Sequence, residues 1–284
     1  MNFFGTRGSC PCSGESYATF GGSTSCVYVS DGDGDGLILD AGTGLRSLGE
    51  WLRPLLRQKG RPIHGRILLT HLHYDHLLGL PFFSPLEDPG AIMDLYGPDQ
   101  GELTLSEVIN AAVTPPFFPV QMKEFRGEVR LFELGEDEFD TDQFRITSRW
   151  VPHTGPTLGF RIETSSGVLA YLPDHQAPLD RMEIAPSVLE LCRDADLVIH
   201  DAQYTDDEFA LKADWGHSTA AYAVHVAASA GAKDLILFHH DPAHDDSQLI
   251  EMEQASAALS GAAGLRSVIA AREGMTIELD RAVV

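Results

Sequence analysis

Residues 70–76 read Thr-His-Leu-His-Tyr-Asp-His, between the apolar runs Ile67-Leu68-Leu69 and Leu77-Leu78-Gly79-Leu80. Four of these seven residues, His71, His73, Asp75 and His76, are metal-ligand types. In extended backbone, residues two apart point the same way, so His71 and His73 at a strand end present two imidazoles to one ion. Asp75 and His76 then turn toward a second. Neutral imidazole and ionised carboxylate suit zinc and its neighbours. A solvated histidine cluster is the poorer reading, because both flanking apolar runs need burial.

The same grammar recurs along the chain. Asp40-Ala41-Gly42-Thr43-Gly44 follows the strand-like Leu37-Ile38-Leu39 and precedes a helical spacing through Leu45, Leu48, Leu52 and Leu56. Asp40 can therefore cap that helix or accept a hydrogen bond from a ligand imidazole. Phe144–Thr147 and Gly159–Glu163 alternate as strands, and Gly167–Leu172 runs to Asp174. Leu197-Val198-Ile199 ends at His200-Asp201, a helix is expected over about 218–230, and Leu235–Phe238 ends at His239-His240-Asp241. Apolar strands with His or Asp at their carboxyl ends, separated by helices, indicate an α/β fold.

Other stretches carry less. Phe3–Ser9 reads as a strand entering a glycine turn, and Cys26–Val29 with Leu37–Leu39 as a hairpin. The hairpin loop Asp31–Gly36 mimics the start of a calcium loop, but the twelfth position is Gly42 rather than Glu, so it is read as a solvated turn. A helix is expected over 103–113. Pro115, Pro116 and Pro119 then stiffen a loop bearing Phe117 and Phe118.

With 43% hydrophobic residues, 284 residues suffice for one substantial domain, expected over 1–284. The N-terminus lacks the layout of a signal peptide and no apolar run of about 18 residues exists, so a cytoplasmic protein with no membrane partner is expected. Cys10, Cys12, Cys26 and Cys192 are read as reduced and structural. Forty-two acidic against 20 basic residues give a net charge of −22. Such a field repels polyanions, so the expected partner is a small anionic substrate and no long nucleic acid; bound divalent cations would reverse the local sign for a small anion.

His71-x-His73-x-Asp75-His76 resembles the HxHxDH signature of the metallo-β-lactamase fold superfamily, in particular its ribonuclease Z-like and phosphodiesterase branch. The resemblance extends over nearly the whole chain and implies a four-layer αββα sandwich with two divalent ions, zinc first, with manganese or iron as alternatives. Carried over residue by residue, it assigns His71, His73 and His153 to one ion and Asp75, His76 and His239 to the other. Asp174 bridges both, and Asp40 supports the cluster without binding metal. His239 is preferred to His240 because it directly follows the strand and because of its spacing from His217.

Val198–Ala202 and Gly216–Ala220 resemble two further segments of that branch, with Asp201 standing where the group has Glu. The implied pair is Asp201 orienting His217, which protonates the leaving oxygen; Asp75, Asp201 and His217 are the expected catalytic residues. The implied activity is a dinuclear phosphodiesterase with a metal-bridging hydroxide as nucleophile, acting on a small phosphodiester such as a cyclic nucleotide. A ribonuclease Z-like tRNA 3′-processing endonuclease is the alternative, although only Thr154 to Pro173 separate His153 from Asp174, which leaves no room for that group's tRNA-clamping arm. Lactone or thioester hydrolysis and non-hydrolytic metal binding are further alternatives. Phe117, Phe118 and Trp215 are the expected base-stacking residues, and a homodimer is allowed for.

Overall fold

A computed structural model describes residues 1–30, 36–141, 143–180 and 182–279. The Asp31–Asp35 part of the solvated-turn assignment lies outside the described residues. The first sheet holds β1 (Asn2–Gly5), β2 (Cys26–Val29), β3 (Leu37–Leu39), β4 (His64–Leu68), β5 (Ile92–Pro98) and β6 (Glu128–Leu134), in that spatial order. The second holds β7 (Glu138–Asp140), β8 (Arg145–Trp150), β9 (Leu158–Glu163), β10 (Val168–Leu172), β11 (Leu197–Asp201), β12 (Asp234–Phe238) and β13 (Ser267–Ala270), again in sequence order across the sheet. Strands β3 to β6 run parallel to one another, as do β10 to β13.

Helices α1 (Gly44–Lys59), α2 (Tyr74–Leu77), α3 (Leu105–Ala112), α4 (Pro186–Cys192), α5 (Asp206–Lys212), α6 (Ala220–Ser229) and α7 (Asp246–Ala263) complete the described elements used here. Three apolar cores make the layering explicit. Ile67 of β4 packs outward with Leu45, Leu48 and Leu52 of α1, while its neighbour Leu68 points inward to meet Leu169 and Tyr171 of β10. Ala170 and Leu172 of β10 face the other way, onto Val188 of α4 and Ala223 of α6. Strands β2, β3, β10 and β12 are buried on both faces over nearly their whole length, so their sequences are close to continuous apolar runs rather than alternations. Full burial of one such Leu or Ile side chain contributes about 1.5–3 kcal/mol. The αββα sandwich implied by the resemblance is the fold observed.

Several local expectations shift. The helix expected over 103–113 spans Leu105–Ala112 behind a Thr104/Glu107 capping box, and the one expected over about 218–230 spans Ala220–Ser229, with the Thr219 hydroxyl accepting from Tyr222 N–H. Strands β5, β6, β7 and β13 and helices α4, α5 and α7 have no counterpart in the sequence reading. No helix of the described residues is long and apolar enough to cross a membrane.

Candidate metal centre

Strand β4 ends at Leu68, so the histidines lie beyond the sheet rather than on its last pleat. His73 is extended at φ −65°, ψ 152°, and caps the one-turn helix α2, which swings Asp75 and His76 back under His71. The carboxyl ends of β10, β11 and β12 deliver Asp174, Asp201 and His239 to the same edge.

Two groups of donors result. In the first, His71 Nε2 lies 2.9 Å from His73 Nδ1 and 3.8 Å from Asp174 Oδ1; His153 Nε2 lies 3.4 Å from His73 Nδ1 and 3.6 Å from Asp174 Oδ1. In the second, His76 Nε2 lies 3.2 Å from His239 Nε2, 3.3 Å from Asp75 Oδ2 and 3.0 Å from Asp174 Oδ2. His239 Nε2 stands 3.1 Å from Asp75 Oδ2 and 3.3 Å from Asp174 Oδ2. A tetrahedral ion with bonds of about 2.0–2.1 Å has ligand–ligand edges of roughly 3.3–3.4 Å, so both groups fit four-coordinate binding, with Asp174 giving one oxygen to each.

The outer nitrogens support the same reading. His153 Nδ1 donates to Gly216 O at 2.6 Å and His239 Nδ1 to Gln203 Oε1 at 2.8 Å. A neutral imidazole has one N–H, so both rings turn a lone pair inward. Asp40 Oδ2 lies 2.9 Å from His76 Nδ1 without the alignment of a hydrogen bond; the contact is an ion-pair proximity. Asp40 is itself held by Thr70 N–H at 2.8 Å and the Tyr171 hydroxyl at 2.9 Å. Asp174 Oδ2 is buried with no aligned hydrogen bond despite two imidazole nitrogens nearby. A shared cation satisfies all three atoms.

Electrostatics agree. Burial, reinforced by His76, holds His71 well below its ordinary pKa, and burial also lowers His73 and His153. Burial opposes charge on His76 as well, but Asp174, Asp75 and Asp40 outweigh it and raise that ring well above its usual value. Burial likewise opposes ionisation of Asp75, yet His76 and His239 hold its carboxyl far below the normal range. The second group therefore demands a positive charge.

His239 rather than His240 faces the cluster. His240 Nε2 donates to Ala271 O at 2.9 Å, and burial pushes that ring down to about 3. His239 adopts φ 61° and Asp40 φ 60°, left-handed backbone that costs a non-glycine residue about 1–2 kcal/mol; both turns re-aim a side chain at a strand end.

Beside the two donor groups, Asp201 Oδ2 accepts from His217 Nδ1 at 2.8 Å. The backbone N–H groups of Gln203, Ser218 and His175 also donate to this carboxylate, at 3.0, 3.2 and 3.3 Å. The shorter Asp arm thus reaches the imidazole. Burial alone lowers His217, but Asp201 with Asp174 and Asp75 behind it raises its pKa above the ordinary value.

Ser9, Leu72, His73, Tyr74, Asp75, Asp174 and His217 line an open pocket of about 370 Å³ over these groups. Phe117, Phe118 and Trp215, expected from sequence to stack a base, are not brought to it. Phe118 finds its burial against the α1-side core and the edge of Phe82, Phe117 is 81% exposed, and Trp215 lies 60% exposed near Lys212. Tyr74, 70% exposed, is the aromatic that lines the pocket. Sequence reasoning also missed Ser9, whose N–H donates to Asp75 Oδ2 at 2.6 Å, and Gln203. The legible signal for Gln203 was its place two residues past a strand-end Asp.

This constellation is that of a metallo-hydrolase. The chain belongs to the beta-lactamase superfamily, matching its domain model over residues 37–240, and is a metal-dependent hydrolase that binds divalent metal. Among similar proteins, ribonuclease Z of Myxococcus xanthus is 29% identical over 257 residues, covering 75% of this chain and 80% of the relative. Ribonuclease Z of Natronomonas pharaonis is 27% identical over 289 residues, covering 84% and 86%. A metallo-beta-lactamase fold protein from Bacillus subtilis superposes with TM-score 0.70 at 18% identity, covering 96% of each chain. The short form of human tRNase Z superposes at 0.63 and 22%, covering 99% of each, which shows the shared fold.

These relatives correct one expectation. Ribonucleases act on a long nucleic acid, so the exclusion of such partners drawn from net charge does not stand. A net charge of −22 is a sum over the surface, whereas a polyanion responds to the local field where it docks.

Gln203→Leu is expected to weaken metal binding at the Asp75/His76/His239 group by about 10–100-fold while sparing the His71/His73/His153 group. Stepwise metal titration followed by calorimetry checks this, and equal weakening of both steps would refute it.

Proposed function

We propose that the chain is a phosphodiesterase acting on a small phosphodiester such as a cyclic nucleotide. The reading rests chiefly on one observation: the His217 imidazole, backed by Asp201, faces the same pocket as the two donor groups joined by Asp174. Acid catalysis of this kind serves an alkoxide leaving group such as a ribose oxygen, whereas the thiolate expelled from a thioester has little need of it.

In this reading His71, His73, His153 and Asp174 hold one ion and Asp75, His76, His239 and Asp174 the other, with zinc as the first choice. When bound, the ions supply Lewis-acid stabilisation of phosphate charge and activation of the attacking water. The chain's own groups do the rest. Ser9 N–H fixes the Asp75 carboxylate, Asp201 takes the His217 Nδ1 proton as a hydrogen bond, and Nε2 carries the proton delivered to the departing oxygen. Leu72 and Tyr74 give the mouth an apolar side that limits water.

The pocket volume and the short stretch between His153 and Asp174, filled by β9 and β10, support a small substrate. RNA cleavage of the ribonuclease Z kind is the second reading, favoured by the ribonuclease Z relatives. Purified protein assayed on bis-p-nitrophenyl phosphate, cyclic mononucleotides, a 3′-extended tRNA precursor, a lactone and a thioester is expected to cleave phosphodiesters. Turnover confined to the lactone or thioester would overturn the proposal.

A further inference from the structure

A second pocket, of about 460 Å³, lies at the opposite end of the first sheet, where the C-terminal turn of α1 meets the approaches to β4 and β6. Arg53, Arg57, Arg61 and Arg126 line it. They are four of only 20 basic residues in a chain of net charge −22, so the tertiary fold, not composition, sets the local sign.

Two acids, Glu87 and Asp88, stand at the rim. Glu87 Oε2 pairs with Arg53 Nη2 at 3.1 Å, and Asp88 Oδ1 accepts from Gly90 N–H at 2.9 Å. Arg57 and Arg126 make no ion pair among the described residues. Arg57, in the last turn of α1, offsets the helix's negative end. That does not account for Arg126, which enters from the bend just before β6. Leu56, Pro62 and Pro85 supply an apolar wall beside the guanidinium groups. Forked, flat and permanently charged donors beside such a wall match a phosphate with an attached planar base.

The extended strand β4, His64–Leu68, stands between this pocket and the metal centre and spans roughly 13 Å at about 3.3 Å per residue, so the arginines do not serve the metal centre directly. We propose that this pocket is a second anion site that binds nucleotide phosphate, either of a free nucleoside polyphosphate or of an RNA whose scissile bond lies at the metal centre. The binding itself is independent of the phosphodiesterase reading; only the RNA source rests on it.

Equilibrium binding of ATP and of a fluorescein-labelled RNA hairpin with a 3′ overhang, to wild type and to the Arg57→Glu/Arg126→Glu double variant, tests this. Hydrolysis of bis-p-nitrophenyl phosphate, too small to span the two sites, is followed in parallel. The double variant is expected to bind at least about tenfold more weakly, with a salt slope reduced by roughly 1–2, and to hydrolyse the small diester at the wild-type rate. Binding of ATP with this sensitivity assigns a free nucleotide; binding of RNA alone assigns a backbone. Absence of saturable binding of both probes, or equal binding in wild type and variant at unchanged melting temperature, would overturn the site. Should the charge reversal prevent folding, Arg57→Gln/Arg126→Gln gives the same comparison. Failure on the small diester in wild type refutes the hydrolytic reading instead, leaving the binding result to stand.

Discussion

Asp174→Ala is expected to lower bound metal from about two ions per chain to one or fewer and to reduce phosphodiester hydrolysis by about 10³-fold or more. The carboxylate sits 1% exposed between the two donor groups, one oxygen toward each. Its removal takes one ligand from both and the shared negative charge that screens two cations from each other. The loss corresponds to several kcal/mol of transition-state stabilisation, each 1.36 kcal/mol being about tenfold. Asp174→Asn keeps the volume and removes the charge, so it separates this effect from a packing defect. Metal content by plasma emission, with turnover on bis-p-nitrophenyl phosphate, gives the answer. Full activity at one metal per chain would end the binuclear reading.

The second large effect concerns the acid. His217→Ala is expected to slow cleavage of a ribose ester by roughly 10²–10⁴ while barely changing a p-nitrophenyl ester, whose leaving group departs without a proton. Asp201→Asn should share the pattern in milder form, because the carboxylate that orients Nδ1 and stabilises the imidazolium is 2.8 Å away and pairs with no other cation among the described residues. Equal losses on both esters would mean that His217 positions the phosphate rather than donating a proton.

Much of this centre is legible in one dimension because ligand geometry near a strand end is local. His71, His73, Asp75 and His76 share seven residues, and backbone conformation alone decides which way they point. The apolar runs before Asp174, Asp201 and His239 likewise announce strands whose ends carry polar groups, since a strand buried on both faces has to be apolar throughout. Helix α3, expected over 103–113, spans Leu105–Ala112, its capping box being seen only in the structure. Strands β5 and β6 were not legible, because Ile92–Pro98 and Glu128–Leu134 mix charged and apolar residues and become strands by pairing with β4 and with each other.

The amino-acid sequence by itself therefore determined the chemistry: a histidine and carboxylate set of the kind that holds divalent metal, on a chain patterned for two buried sheets. Only the tertiary structure decided what depends on long-range packing. It turned Gln203 onto His239, 36 residues later. It buried Phe118 beside Phe82 and left Tyr74 at the pocket. It gathered Arg53, Arg57, Arg61 and Arg126 into one place on an acidic molecule. Net charge and local periodicity average over the chain, whereas recognition acts over a few ångströms, between groups that folding alone makes neighbours.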